Sequence, residues 1–228
     1  MNQIKITQID VDTAWEIPWK CWELMKTNYW LALSLALTVV AGSMLQGIPL
    51  IGVLISTPLI VAMRIGILFV VKDWENKESS SFSKFMEKAF DKEILQALLP
   101  IIIAEVALAL LGSVFMSGDT SFGLMVLLGA PGLFISFVMS LMIPQLVFNK
   151  ELSIQKAFNN SLEVIKLNII PLFFVWMFFA LLGLVATVLL LLPLFFCFLP
   201  ASICMQYVMY RTLLEGLVLK DPTPSQEN

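Results

Sequence analysis

The stretch from Ile169 to Leu219 constrains this chain more than any other. It is apolar, carries no charge before Arg211, and far exceeds the ~20 residues that cross a bilayer as one helix. Such a run has to fold back on itself, and Leu192-Pro193 is the best hinge. Two crossings follow, at 169–190 and 193–213. Of the 228 residues 59% are hydrophobic and 14% charged, with mean hydropathy +0.88. A soluble domain is nearer half apolar and about a quarter charged. Lipid is therefore the expected solvent for most of the chain.

The other apolar runs divide in the same way. Residues 29–45 and 51–71 are separated by the uncharged turn Gln46-Gly47-Ile48-Pro49, and 94–116 and 122–148 by SGDTS at 117–121. Pro58 and Arg64 lie in the second run; Pro131 and Pro144 bend or split the fourth. The expected fold is all-α: one polytopic integral membrane domain over residues 1–220, with about six transmembrane helices. Residues 221–228, DPTPSQEN, read as a disordered tail. The first run follows an acidic, Trp-rich segment without the pattern of a cleavable signal peptide, so it is expected to act as an uncleaved insertion signal.

The polar segments between these runs carry a helical period. Thr13 and Glu16 have capping-box spacing, and Trp15, Trp19 and Trp22 fall on one face of a short helix that Pro18 kinks or restarts. In the very polar segment 72–92, Phe82, Phe85, Met86, Ala89, Phe90 and Ile94 share a face opposite Lys84, Glu87, Lys88 and Asp91, with Ser81 or Ser83 as cap. In 150–168, Ile154, Ala157, Phe158, Leu162 and Ile165 share a face behind Ser153. These are expected to be amphipathic helices lying in the membrane plane.

Lys and Arg set the orientation. Lys5, Lys20 and Lys26 precede the first run. Lys72, Lys77, Lys84, Lys88 and Lys92 lie between the second and third, Lys150, Lys156 and Lys166 between the fourth and fifth, and Arg211 and Lys220 end the chain. The alternate turns hold neither residue type. Positive charge stays cytoplasmic, so both termini and the amphipathic segments are expected there, which requires an even number of crossings.

A threefold repeat of amphipathic helix plus hairpin is expected from the spacing. Thr13, Ser83 and Ser153 stand 70 residues apart, as do Glu23, Glu93 and Glu163. Turn prolines (Pro49, Pro131, Pro193) and in-helix prolines (Pro58, Pro144, Pro200) recur, with Arg64, Lys150 and Gln206 six residues after the latter. Repeats that cannot bury a face alone pack on one another.

Little in the chain points to catalysis. His is absent, which removes the commonest general base and zinc ligand. Cys21, Cys197 and Cys204 form no metal-type pair and read as small apolar residues. No phosphate loop or nucleophile–base pair is present, and a net charge of −3 offers no field for nucleic acid. No cofactor or metal and no enzymatic activity are expected. Arg64 and Glu105 are the ionisable residues best placed inside the apolar runs. Their offset lets an Arg side chain bridge two helices, either as a structural pair or as part of a proton or substrate relay. Trp15, Trp19, Trp22, Tyr207 and Tyr210 read as anchors at the water–lipid boundary, the indoles alternatively as a stacking cage. Gln145 and Gln206 join the tyrosines as a polar set at the helix ends. Gly132 is expected to mark close helix packing, and Asn159-Asn160-Ser161 matches a glycosylation pattern in the wrong compartment.

Pro131-Gly132, Pro144, the charged break, Ala157, Ser161 and Asn168 resemble the YciC-like bacterial inner-membrane proteins. They are also similar to the membrane region of some glycerophosphodiester phosphodiesterases. The resemblance covers about the last 100 residues best and implies a fold type more than an activity. It places the chain in the bacterial inner membrane, with the bilayer and either a second copy or another membrane protein as partner. The expected role is membrane or envelope organisation; the competing ones are transport of a small solute and immunity to a membrane-active toxin.

Overall fold

The computed structural model describes residues 6–48, 50–116, 122–149, 151–188 and 192–216, and helix is the only regular secondary structure among them. α1 (Val11–Lys26) begins because Asp10, not Thr13, supplies the cap: its carboxylate accepts from the Thr13 amide at 2.8 Å. Pro18 neither breaks nor restarts α1, which runs unbroken through it. A two-residue break at Thr27-Asn28 leads to α2 (Tyr29–Met44), closed by a 3₁₀ turn at Leu45–Gly47. A Cβ on Gly52 would lie 1.9 Å from the Leu45 carbonyl oxygen, so only glycine lets this turn fold so tightly onto the next helix.

That helix, α3 (Ile51–Glu75), is longer than its apolar run, because Lys72, Asp73, Trp74 and Glu75 continue it. α4 (Phe82–Ala89) is capped by Ser81, whose hydroxyl accepts from the Lys84 amide. The apolar stripe expected to continue to Ile94 is cut at Asp91. Its carboxylate accepts from the Glu93 and Ile94 amides and starts α5 (Lys92–Met116). A short polar side chain that offers the backbone its own bond ends one helix and begins another.

α6 (Phe122–Phe148) passes unbroken through Pro131 and Pro144, so Pro131 is not a turn residue. α7 (Ile154–Leu167) is capped by Ser153 as expected. A bend of 88° separates α7 from α8 (Ile169–Val188). α9 (Leu192–Leu214) has Pro193 in its first turn and Pro200 inside. Pro49, Lys150, the 117–121 turn and the 221–228 tail lie outside the described residues.

The strict 70-residue register does not map onto equivalent places. Thr13 is in the first turn of α1 and Ser83 inside α4, whereas Ser153 precedes α7. Glu23 and Glu163 lie in α1 and α7, but Glu93 opens α5. The short α4 shifts everything after it.

Packing follows a definite pattern. α3, α6 and α9 contact one another at the centre; α4 lies on α3, α7 on α6, and α1 on α9. α2 bridges α3 and α9, and α5 bridges α3 and α6. Among the described residues three helices, Tyr29–Gly47, Ile51–Glu75 and Lys92–Ser113, are long and apolar enough to cross a membrane, and a fourth span follows if the bent α7–α8 pair counts as one. The most apolar stretch of Ile51–Glu75 is 61% buried, against 22% in each of the other two, which makes α3 an inner helix. The outer surface is apolar too, with Leu37, Leu54, Ile103, Phe173 and Leu181 exposed. An apolar surface of that extent suits lipid rather than water.

Candidate functional site

Arg64 on α3 and Glu105 on α5 meet. Arg64 Nη1 donates to Glu105 Oε1 at 3.0 Å. Arg64 lies 11 residues from the Glu75 end of α3, about 16 Å at the helical rise, inside the apolar part of the helix. Glu105 is mostly buried, whereas 37% of the Arg64 side chain is open. The pair is neutral as a whole, which lowers the cost of holding it among apolar side chains.

A second polar group gathers at the ends of α3, α6 and α9. Tyr207 donates its hydroxyl to Glu75 Oε2 at 2.5 Å, and Arg211 Nε donates to the same oxygen at 2.9 Å. Arg211 also pairs with Glu215, which accepts the Tyr210 hydroxyl proton at 2.5 Å. Asn149 donates to the Tyr210 oxygen at 3.2 Å. The Phe148 ring packs on Phe69, Tyr207 and Tyr210, with the Lys72 ammonium 4.9 Å above it. Tyr207 and Tyr210 are 2% and 1% exposed, because their phenols find carboxylates within the bundle.

The tryptophans behave differently. Trp15, Trp19 and Trp22 are all open, Trp19 most at 68%, while Ile17, Cys21 and Met25 of the same helix are fully buried. Trp15 meets Phe178 of α8 edge-on at 5.4 Å. Burial raises the Cys21 thiol well above its ordinary range, and nearby Cys204 adds to this, so the thiol stays protonated and unreactive. Cys197 and Cys204 both fall in α9.

Sequence reasoning singled out Gln145 and Gln206 without finding their partners. Gln145 is fully buried. It donates to Ser161 Oγ at 2.9 Å and to the Leu141 carbonyl, and accepts from Asn160 at 3.1 Å, joining α6 to α7. Asn160 and Ser161 of the glycosylation pattern are therefore structural. Gln206 Nε2 donates to the Ser140 carbonyl at 2.6 Å. Ser140 stands four residues before Pro144, whose missing N–H frees that carbonyl. A proline on one helix and a glutamine on another form one unit, a signal readable in principle from the pair. Gly132 does not mark close packing: a Cβ there would meet no described atom within 4 Å.

Asp73 was missed, and Asn168 was named for the family resemblance, without its partners. Asp73 pairs with Lys84 at 2.8 Å, tying α3 to α4, and this hydrogen bond raises the Lys84 pKa above its ordinary value. Asn168 Oδ1 accepts from the Ile9 amide at 2.8 Å, and its amide donates to the Thr7 and Val164 carbonyls. Among the described residues no group of three His, Cys, Asp or Glu converges as a metal site would need. Comparison with protein-family models, curated proteins and solved structures finds no match.

Proposed function

We propose that this chain is a non-enzymatic, six-crossing protein of the bacterial inner membrane. Its in-plane helices α1, α4 and α7 organise the cytoplasmic leaflet, and both termini lie on that side. On this reading α6, α8 and α9 cross alongside α2, α3 and α5, and the chain is a relative of the YciC-like membrane proteins. A threefold plan is supported by the packing, in which each in-plane helix lies on a central helix: α4 on α3, α7 on α6, α1 on α9. It is supported too by the caps Ser81 and Ser153, whose separation of 72 residues equals that of Asp73 and Gln145. Each of the latter pair bonds its central helix to the in-plane helix that follows.

One observation carries the functional reading. The in-plane helices bury one edge in the bundle and leave the other apolar and open: Trp15, Trp19 and Trp22 on α1, Phe82, Met86 and Phe90 along α4, and Ile154 and Phe158 on α7. Held by the bundle at the membrane surface, these edges insert into a single leaflet and enlarge its area relative to the other. The test is reconstitution into vesicles of graded diameter. The protein is expected at higher density in the smaller vesicles when its in-plane helices face outward. Replacing Phe82, Met86 and Phe90 by Ser should weaken that preference. Equal density across all diameters would sink the reading.

The Arg64–Glu105 pair favours a second reading, transport of a small solute, because an ion pair within apolar helices is a natural element of a permeation path. Solute flux into proteoliposomes that disappears with Glu105→Gln would replace the first reading by this one.

A further inference from the structure

An open cavity of about 250 Å³ lies between α6, α7 and α8. Its floor is Phe137, Ile165 and Leu172, and Phe134, Phe173 and Trp176 stand along its rim. Every lining residue is apolar. Its position follows from a departure in the packing. α5 lies on central α3 and α2 on central α9, and the same plan would lay α8 on α6. Instead α8 leans on α1, through Trp15 and Phe178, and meets α6 chiefly where the Phe137 and Trp176 rings stand edge-on at 6.3 Å.

The geometry points to a phospholipid acyl chain from the cytoplasmic leaflet as the occupant of this groove. The inference rests on the membrane-crossing reading of α6 and α8. A cavity with no polar wall does not hold water, since a water needs two or more polar partners. At this depth the surrounding material is hydrocarbon. The groove begins at the 88° elbow where in-plane α7 turns into α8, so its upper end lies at headgroup level and its body among the chains. Lys166 is adjacent to the lining residue Ile165, is exposed, and joins no ion pair among the described residues. Its ammonium complements the phosphate that would carry a chain seated below.

Trp176 makes the test direct. The full chain is reconstituted in phosphatidylcholine vesicles containing a graded fraction of lipid brominated on its acyl chain, and the emission of Trp176→Phe is subtracted from that of the wild type. The Trp176 component is expected to lose at least twofold more intensity than the remaining tryptophans at low brominated fraction. Narrowing the groove with Ile169→Phe should remove that excess and leave the other tryptophans unchanged. Mass spectrometry of the intact protein should show one retained phospholipid, lost in Ile169→Phe, which keeps the test valid if Trp176→Phe folds poorly. Quenching of Trp176 that Ile169→Phe does not alter means ordinary contact with bulk lipid and overturns the proposal. A protected Trp176 beside quenched neighbours means that protein, such as a second copy, fills the groove, and also overturns it. If no tryptophan is quenched, the membrane reading itself fails and the groove with it.

Discussion

Arg64 carries five N–H donors, and one of them meets Glu105. Removing the carboxylate leaves a cation in an apolar setting, whereas removing both charges leaves two packed side chains. Because over a third of Arg64 is open, the loss on Glu105→Leu is expected at about 1–3 kcal/mol, below that of a sealed pair. The double variant Arg64→Leu/Glu105→Leu should recover most of it. Thermal unfolding in detergent across the full cycle checks this; a double-variant loss equal to the sum of the two single losses would show that the pair contributes nothing. Lys84 allows a statement about pH. Its hydrogen bond to Asp73 raises its folded pKa above the unfolded value. The stability it contributes is therefore complete below the ordinary lysine pKa and lost as pH rises through the higher folded value. Hydrogen exchange of α4 should be indifferent to Lys84→Met only in strongly alkaline solution, and should rise with that substitution at neutral pH.

Among the elements, the joint between α6 and α9 is the most exacting. Gln206→Ala strands the Ser140 carbonyl opposite Pro144, an expected loss of about 1–3 kcal/mol. Pro144→Ala in the same chain restores a backbone donor and should return much of that stability. A double variant no more stable than Gln206→Ala would refute the pairing. Gly66 plays a steric role on α3. A Cβ there would lie 2.7 Å from both the ring and the carbonyl oxygen of Phe85, so α4 can lie flat on α3 only over a glycine. Gly66→Ala should displace α4 and cost about 1–3 kcal/mol, with faster exchange across Phe82–Ala89 and little change elsewhere. The helices themselves were legible because apolar runs, Pro and capping residues act locally. The true caps were harder. Asp10 competes with nearby Thr13, and Asp91 interrupts an apolar stripe that runs past it; only the backbone amide that each carboxylate reaches decides. The fates of Tyr207 and Tyr210 were illegible for a different reason. Their partners Glu75, Asn149 and Glu215 lie on three different stretches of chain, and nothing near either tyrosine marks the phenol as buried.

At the scale of the molecule, charge distribution predicts orientation. A cysteine in place of Gln46 should react only with reagent outside the cell, and one in place of Glu78 only from the cytoplasm, in a background with Cys21, Cys197 and Cys204 replaced. Labelling of both positions from the same side would overturn the six-crossing plan. The helices could be anticipated from composition and period, but the order in which they pack could not. No residue of α1 announces that its neighbours are α8 and α9 rather than α2. That order has a consequence for how the molecule is made. Asn168 holds Thr7 and Ile9, the Thr7 amide reaches the Leu213 carbonyl, and α1 rests on the helix that contains it. On the membrane-crossing reading, α1 thus finds its full seat only when α8 and α9, made after it, have been inserted. Until then, on that reading, its three open indoles are the part of α1 best fitted to grip the membrane surface. Completion of the bundle is then marked by α1 exchanging lipid on one edge for α8 and α9.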